Sequence, residues 1–298
     1  MPAPVATSAG PPWWHDPRAR PLAAWGAVLI ASGLAHVVVW AILGGPWEGP
    51  VTWRKPILFG ISGGLTSLSL GWAWACLPWR RGDDGLARAT AWALVIEVAL
   101  IDLQRWRGLA SHFNRGTPLD SFLFDAMGGL ILFVTVVVGD LTLRMFRRRD
   151  GLPADTLLAA RAGLVFLFLS CLLGIWVGMH GERRMAAGLT PETFGAAGVT
   201  KFPHGAVIHA LQWLPLVAWA AGRAGIGDRG RLRLVGWATA GTALIGGYAV
   251  VQTLAGRGRF DTVPVTAAVL AAGTACLAVP VVVIAVAWLR RAAATPHR

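Results

Sequence analysis

Four short segments carry most of the residues that could perform chemistry or bind a ligand. In each of them, histidine, lysine or arginine stands within an otherwise apolar sequence. The segments are TWRKPILFG (52–60), QRWRGLASHFNRGTPLD (104–120), HGERR (180–184) and KFPHGAVIHALQWLP (201–215). Four of the seven histidines lie in these segments, and they are His112, His180, His204 and His209.

Histidines from different segments could serve a site in several ways. Imidazoles from two helices can ligate haem iron or a single metal ion, and one imidazole can act as a general acid or base. Arginine or lysine beside them would suit haem propionates or a phosphate. We assign His112 and His209 as candidate catalytic residues. The candidate cofactor-binding residues are His204, Arg107, Lys55, Arg105, Gln212 and Asn114. Haem, a single metal ion and metal-free chemistry all stay open.

Glu97 is the third candidate catalytic residue, because it lies in the middle of a long apolar run. A carboxyl group at that depth in a membrane is costly unless it is neutral or paired with another helix. A protonated carboxyl could initiate a reaction such as prenyl cyclisation. The side chain of Glu97 should therefore face the interior of the helix bundle.

Two of the assigned residues also have structural interpretations. Asn114 precedes the turn-forming sequence 115–118, so its expected role is to cap the loop that carries His112. His209 lies about six residues into a helix that begins near Pro203, and Gln212 follows one turn later on the same face. A hydrogen bond to a neighbouring helix would satisfy that pair without any catalytic role.

The elements that position these residues are membrane helices. The chain has 298 residues, of which 55% are hydrophobic and only 14% are charged, whereas a soluble domain carries about 25% charged residues. At about 1.5 Å per residue, eight apolar runs are long enough to cross ~30 Å of hydrocarbon. These runs cover residues 22–44, 57–77, 88–109, 121–145, 157–179, 204–222, 234–255 and 264–289.

The runs predict an all-α fold, a polytopic membrane helix bundle of about eight transmembrane helices. Residues 17–290 should form a single domain, with a disordered head at 1–16 and a tail at 291–298. Gly60 and Gly64 form a pair of small residues four apart, which indicates that the second helix packs closely against a neighbour.

Positive charges predict the orientation of the bundle. Ten of the 27 lysine and arginine residues fall on the side that holds the four polar segments, and they are Arg54, Lys55, Arg105, Arg107, Arg115, Arg183, Arg184, Lys201, Arg257 and Arg259. The other 17 fall on the side of both termini. The positive-inside rule makes that second side cytoplasmic. The polar segments should then face outward from a bacterial cytoplasmic membrane.

The net charge of +12 does not predict a nucleic-acid partner, because the basic residues lie in short loops between apolar runs and form no nucleic-acid motif. The expected partners are the lipid bilayer and a lipophilic or amphiphilic small molecule.

Three motifs resemble those of a widespread family of uncharacterised bacterial multi-pass membrane proteins. They are W-x-K-P-x-x-F, R-G-x-x-S-H-F-N with T-P-x-D after it, and F-P-H-x4-H-x-L-Q-x-L-P. The matching residues are Trp53, Lys55, Pro56, Phe59, Arg107, Gly108, Ser111, His112, Phe113, Asn114, Thr117, Pro118, Asp120, Phe202, Pro203, His204, His209, Leu211, Gln212, Leu214 and Pro215. The resemblance covers helices two to six and implies a membrane fold, but no reaction.

Three classes of function fit these observations. One is an enzyme with an outward-facing site rich in histidine and arginine, which acts on a lipophilic or amphiphilic substrate. Another is a transporter for an anionic solute, whose path would pass Glu97, Gln104 and Gln212. The third is a non-catalytic sensor or assembly subunit. The enzyme is favoured over the transporter, because the polar residues cluster at one end of the bundle. We expect His112 and His209 to share one pocket.

Overall fold

A computed structural model describes residues 12–148, 151–191 and 198–294 of the chain. Within these ranges all regular secondary structure is helical, which confirms the predicted all-α class. The α-helices are α1 (Ala19–Leu43), α2 (Arg54–Ala75), α3 (Asp83–Trp106), α4 (Pro118–Arg147), α5 (Ala154–Ala186), α6 (Lys201–Val207), α7 (Ala210–Arg223), α8 (Asp228–Leu254) and α9 (Pro264–Ala294).

Seven spans among the described residues are long and apolar enough to cross a membrane, with α6 and α7 together forming one span. Helix α3 is the remaining long helix. It has 24 residues, so its length is about 36 Å, and it packs against α1, α2 and α4. Helix α3 is not among the seven spans that are apolar enough to cross a membrane, so the eighth crossing of the predicted bundle stays a prediction.

Helices α1 and α2 pack against each other through glycines. A Cβ atom placed on Gly60 would lie 2.8 Å from Cα of Gly33. One placed on Gly64 would lie 2.5 Å from the carbonyl oxygen of Gly26. The two backbones can approach this closely only because side chains are missing at these positions. The predicted close contact of the second helix is confirmed, and its partner is the first helix.

Buried ion pairs connect helices at the end of the bundle where α2 ends and α3 begins. The carboxylate of Asp83 is fully buried and accepts hydrogen bonds of 2.9 and 2.8 Å from Arg144 on α4. Arg18 at the start of α1 approaches the same carboxylate at 3.4 Å. Arg80 and Asp140 form a further ion pair of 2.8 Å. These contacts join α1, α3 and α4.

The opposite end of the bundle holds the four polar segments, and we call it the site end. It contains the last turns of α1, α3, α5 and α8 and the first turns of α2, α4, α6 and α9. Contacts between three of these segments confirm that those three meet there. Trp53 before α2 lies 5.0 Å from Trp106 of α3 between ring centroids, and Arg115 reaches Glu182 of α5 at 3.3 Å.

Two helices differ from the predicted runs. Helix α5 continues to Ala186, so the segment HGERR forms its last turns and is not a loop. Basic residues there are favourable, because they face the negative end of the helix dipole. The sixth run is not continuous, since α6 ends at Val207 and α7 begins at Ala210.

The interruption places His209 at the start of α7, with φ −94° and ψ 10°, instead of inside one helix. Of the predicted head, Trp13–His15 form one turn of 3-10 helix, and residues 1–11 lie outside the described part.

Candidate functional site

Three polar residues and a phenylalanine line one face of α2 along the groove between α2 and α7. Lys55, Phe59, Ser62 and Thr66 follow one another at spacings of four, three and four residues, so they share a helix face. Each of the four is partly buried. Helices α2 and α7 approach each other loosely compared with α1 and α2. We call this region, with His209 and Gln212 on the other wall, the α2–α7 groove.

Two hydrogen bonds cross the α2–α7 groove. Nε2 of His209 lies 3.5 Å from Oγ of Ser62, and Nε2 of Gln212 donates to Oγ1 of Thr66 at 3.5 Å. The side chain of His209 is otherwise exposed. Oε1 of Gln212 is buried, and no group among the described residues donates a hydrogen bond to it. The groove thus combines an accessible imidazole with an amide oxygen that can still accept a hydrogen bond.

His112 lies at the mouth of the same groove. Its ring centroid is 5.5 Å from that of Phe59 on α2 and 6.1 Å from that of Phe124 on α4. Burial of the ring, together with the positive charges of Lys55 and Lys201, lowers the pKa of His112 to about 3. His112 is therefore neutral at pH 7. It contacts Phe59 one turn before Ser62, the residue that His209 contacts.

The loop that carries His112 has a fixed conformation. Asn114 donates to the carbonyl oxygen of Ala110 at 3.2 Å and accepts from the backbone N–H of Gly116 at 3.1 Å. These bonds confirm the expected role of Asn114 as a loop cap. Phe113 adopts a positive φ of 57°, and its ring occupies the space that a side chain at Gly181 of α5 would take.

Lys201 lies at the start of α6, and its positive charge acts on His112. The segment before α6 is attached to the end of α8, where Thr253 donates to the carbonyl oxygen of Val199 at 3.2 Å. Gly198 donates to the carbonyl oxygen of Arg257 at 3.3 Å. Three separate parts of the chain thus contribute charged or titratable groups at this end: Lys55 from α2, Lys201 from α6, and His112 from the loop between α3 and α4.

Arg107 belongs to a network that connects α3 to α4. Its guanidinium lies 2.8 Å from Asp120 and also donates to Oε1 of Gln104. Asp120 accepts further hydrogen bonds from Gln104 at 3.0 Å and from Thr117 at 2.8 Å. The guanidinium of Arg107 is thus held by side chains of the protein itself. The basic residues whose charges act on His112 are Lys55 and Lys201, and not Arg107.

Arg105 and His36 belong to an aromatic cluster between α1 and α3. The guanidinium of Arg105 lies 3.8 Å from the ring centroid of Trp53. Trp106 donates to Nε2 of His36 at 3.2 Å, and Nδ1 of His36 donates to the carbonyl oxygen of Ser32 at 2.9 Å. The contacts of Arg105 are therefore with this cluster. Sequence reasoning did not assign His36, which stands alone in its apolar run.

His204 faces α5. Its Nδ1 donates to the carbonyl oxygen of Ser170 at 2.8 Å, and the hydroxyl of Ser170 donates to the carbonyl oxygen of His204 at 3.0 Å. This arrangement leaves Nε2 of His204 with its lone pair, as in histidines that bind metals. However, no group of three or more His, Cys, Asp or Glu side chains that could hold a metal ion occurs within the described ranges.

Glu97 faces the interior of the bundle, as predicted, with 7% of its surface exposed. Its carboxyl group lies near Cys171 of α5, which in turn interacts with Thr135 of α4. No described residue forms an ion pair or hydrogen bond with Glu97. Glu97 therefore remains a polar group inside the bundle whose role the contacts do not explain.

No protein family model, curated protein or solved structure matches this chain. The resemblance to an uncharacterised membrane protein family therefore stays a prediction, and the site is defined by its geometry alone. That geometry adds Ser62 and Thr66, which sequence reasoning did not assign. Their spacing from Lys55 on one helical face is the signal that could have identified them.

Proposed function

We propose that this chain is a membrane enzyme that acts on an amphiphilic molecule bound in the α2–α7 groove. The observation that carries the proposal is the exposed imidazole of His209, held 3.5 Å from the hydroxyl of Ser62 in an apolar bundle. A polar pair on a helix inside the membrane is costly and commonly marks a functional site. With the predicted orientation, the groove lies on the outer half of a bacterial cytoplasmic membrane.

His209 is the proposed acid–base residue. An imidazole changes its protonation state near neutral pH, so it can take up and return a proton during a reaction. The hydroxyl of Ser62 fixes the orientation of Nε2, and Gln212 offers a hydrogen-bond acceptor one turn along α7. The apolar part of the substrate would lie against Phe59 and the bilayer. These contacts support a reaction in which His209 acts as a general acid or base.

A transporter for an anionic solute is the second candidate function. The interruption of α6–α7 at residues 208–209 favours it, since transporters commonly bind solutes where a membrane helix is broken. The buried Oε1 of Gln212 next to the break could contact such a solute. A transporter moves its ligand unchanged, whereas the proposed enzyme converts it, so product analysis separates the two functions.

The test uses the full chain reconstituted into nanodiscs made from a total bacterial lipid extract. Mass spectrometry would follow the lipids over time. We expect at least one amphiphile to be converted by the wild type, with His209→Ala reducing the rate to background and Ser62→Ala reducing it partially. His15→Ala is the control, because that exposed histidine lies near the opposite end of the bundle. Unchanged lipids with the wild type would contradict the proposal.

A further inference from the structure

We infer that Glu97 is a proton-binding site in the interior of the bundle, and that its carboxyl group carries a proton while the bundle is closed. This site includes none of the residues assigned to the α2–α7 groove, so it does not depend on the proposed function. Glu97 lies on α3, which extends from Asp83 to Trp106. At about 1.5 Å per residue, its Cα atom is about 21 Å from one end of the helix and about 14 Å from the other.

The surroundings of Glu97 are apolar. Only 7% of its surface is exposed. Ala93, Leu94 and Ile101 stand one turn away on the same face of α3, and all three are buried. Ala93 and Leu94 are part of the apolar core that α3 shares with α4 and α5. No described residue forms an ion pair or a hydrogen bond with Glu97. The carboxyl group thus has neither a polar partner nor free access to water.

The helices around Glu97 supply no lysine or arginine at its depth in the bundle. Helices α1, α2 and α4 pack against α3, and α5 packs against α4. The middle part of each of these four helices contains no lysine, arginine, histidine, aspartate or glutamate. These parts are residues 21–35 of α1, 56–75 of α2, 126–139 of α4 and 162–179 of α5. Within the described bundle, these helices therefore offer no cation that could keep the carboxyl group ionised.

The remaining titratable groups near this level do not neutralise a negative charge there. His209 at the start of α7 is exposed and contacts Ser62 at 3.5 Å. His36 of α1 accepts a hydrogen bond of 3.2 Å from the indole at the end of α3. Asp102, which follows on α3, is itself an acid. Cys171 of α5 interacts with the carboxyl group but supplies no positive charge.

An ionised carboxylate in these surroundings would be costly, because it would lack both water and a counter-ion. Asp83 shows how the protein stabilises another buried acid, since Arg144 binds it at 2.8 Å. Glu97 has no such partner among the described residues, so the closed bundle accommodates its neutral, protonated form. Loss of the proton would leave a charge that only water could stabilise. Release of the proton is therefore linked to an opening of the helices around Glu97.

The test is infrared spectroscopy of the purified full chain at neutral pH, in a detergent that contains no carbonyl group. A protonated carboxyl group gives a C=O stretching band, and an exchangeable proton makes this band shift in heavy water. We expect the wild type to show such a band and Glu97→Gln to lose it. Glu97→Asp, which keeps a carboxyl group, should retain a band. The matched control is Glu48→Gln, because that glutamate is exposed in the loop after α1, and its removal should leave the band unchanged.

Labelling with an apolar carbodiimide gives a second readout. The O–H of a protonated carboxyl group adds across one C=N bond of the reagent, and the proton passes to one nitrogen. The acyl group then moves from oxygen to the other nitrogen, so no atom leaves. We expect dicyclohexylcarbodiimide to modify Glu97 in the wild type, as determined by mass spectrometry of peptides, with no modification of Glu97→Gln at this position. A water-soluble carbodiimide should modify exposed acids such as Glu48 and leave Glu97 unmodified.

Either readout can overturn the inference. A wild-type spectrum identical to that of Glu97→Gln would show that Glu97 is ionised. A band of Glu97 that stays unshifted in heavy water would show that its proton does not exchange. Equal modification of Glu97 by both carbodiimides would place the carboxyl group in contact with bulk water, contrary to a site in the interior.

Discussion

At the scale of single residues, the surroundings of His112 determine its protonation state. The ring is packed between Phe59 and Phe124, with the ammonium groups of Lys55 and Lys201 nearby. An additional positive charge there would lack both water and an acidic partner. The folded protein therefore holds this imidazole in its neutral form down to a pH far below the ordinary titration range of histidine.

The pKa of His112 differs between the folded and the unfolded protein, and this predicts that the folded protein loses stability in acid. The pKa of His112 is lowered from 6.5 to about 3 in the folded state. As the pH falls below about 6.5, the unfolded chain binds a proton at this residue and the folded chain does not. The contribution of His112 to the free energy of unfolding is therefore complete above pH 6.5. It decreases towards pH 3, by up to about 1.4 kcal/mol per pH unit.

The measurement is the apparent unfolding temperature in detergent between pH 7.5 and 5. We expect the wild type to lose more stability over this range than His112→Gln, which cannot bind the proton. The other histidines are present in both proteins, so the difference between the two curves isolates His112. Parallel curves would show that His112 binds its proton equally well in the folded state.

At the scale of helices, the α1–α2 contact depends on glycine. Gly60→Ala would add a Cβ atom 2.8 Å from the backbone of Gly33, which cannot move aside easily. We expect destabilisation of about 1–3 kcal/mol from this overpacking, measured as a lower apparent unfolding temperature. The matched control is Gly128→Ala, because no atom lies within 4 Å of that position. Since alanine favours helices by about 1 kcal/mol over glycine, the control should be neutral or stabilising.

A second contact between elements positions the His112 loop against α5. A side chain at Gly181 would displace the ring of Phe113, whereas no atom lies within 4 Å of the corresponding position at Gly178. Gly181→Val should therefore loosen the loop, and Gly178→Val should not. We expect trypsin to cleave after the exposed Arg115 several-fold faster in Gly181→Val. Equal cleavage of the two variants would show that Phe113 does not hold the loop.

At the scale of the whole molecule, the two ends of the bundle use charge differently. One end neutralises Asp83 and Asp140 with arginines from three parts of the chain. At the site end, the positive charges of Lys201 and Arg54 act on Lys55. The positive-inside rule predicts that the first of these ends is cytoplasmic, so the site end should face outward.

Single cysteines test this orientation in a variant without the three native cysteines. Gly116→Cys lies in the exposed loop at the site end, and Arg81→Cys lies in an exposed turn at the opposite end. In intact cells, an impermeant maleimide should label Gly116→Cys, whereas Arg81→Cys should require permeabilised membranes. The reverse pattern would invert the topology and place the α2–α7 groove in the cytoplasmic half.

The sequence by itself predicted an all-helical bundle and the approximate positions of its long helices, because a bilayer requires apolar runs of defined length. It also predicted that the four polar segments meet at one end, since short connections force successive helices to alternate in direction. Gly60 and Gly64 indicated a close helix contact before the partner helix was known. The loop cap at Asn114 followed from local turn chemistry.

Only the tertiary structure decided which polar residues face each other. Arg107 pairs with Asp120, Arg105 lies on Trp53, and His209 reaches Ser62. Such pairs depend on the rotation of each helix about its axis and on its distance from its neighbours, which hydropathy does not encode. The interruption before α7 is a further example, because it redirects His209 without leaving a glycine or proline at the break. The thickness of the bilayer determines the helix lengths, whereas the packing of the helices determines which residues form the site.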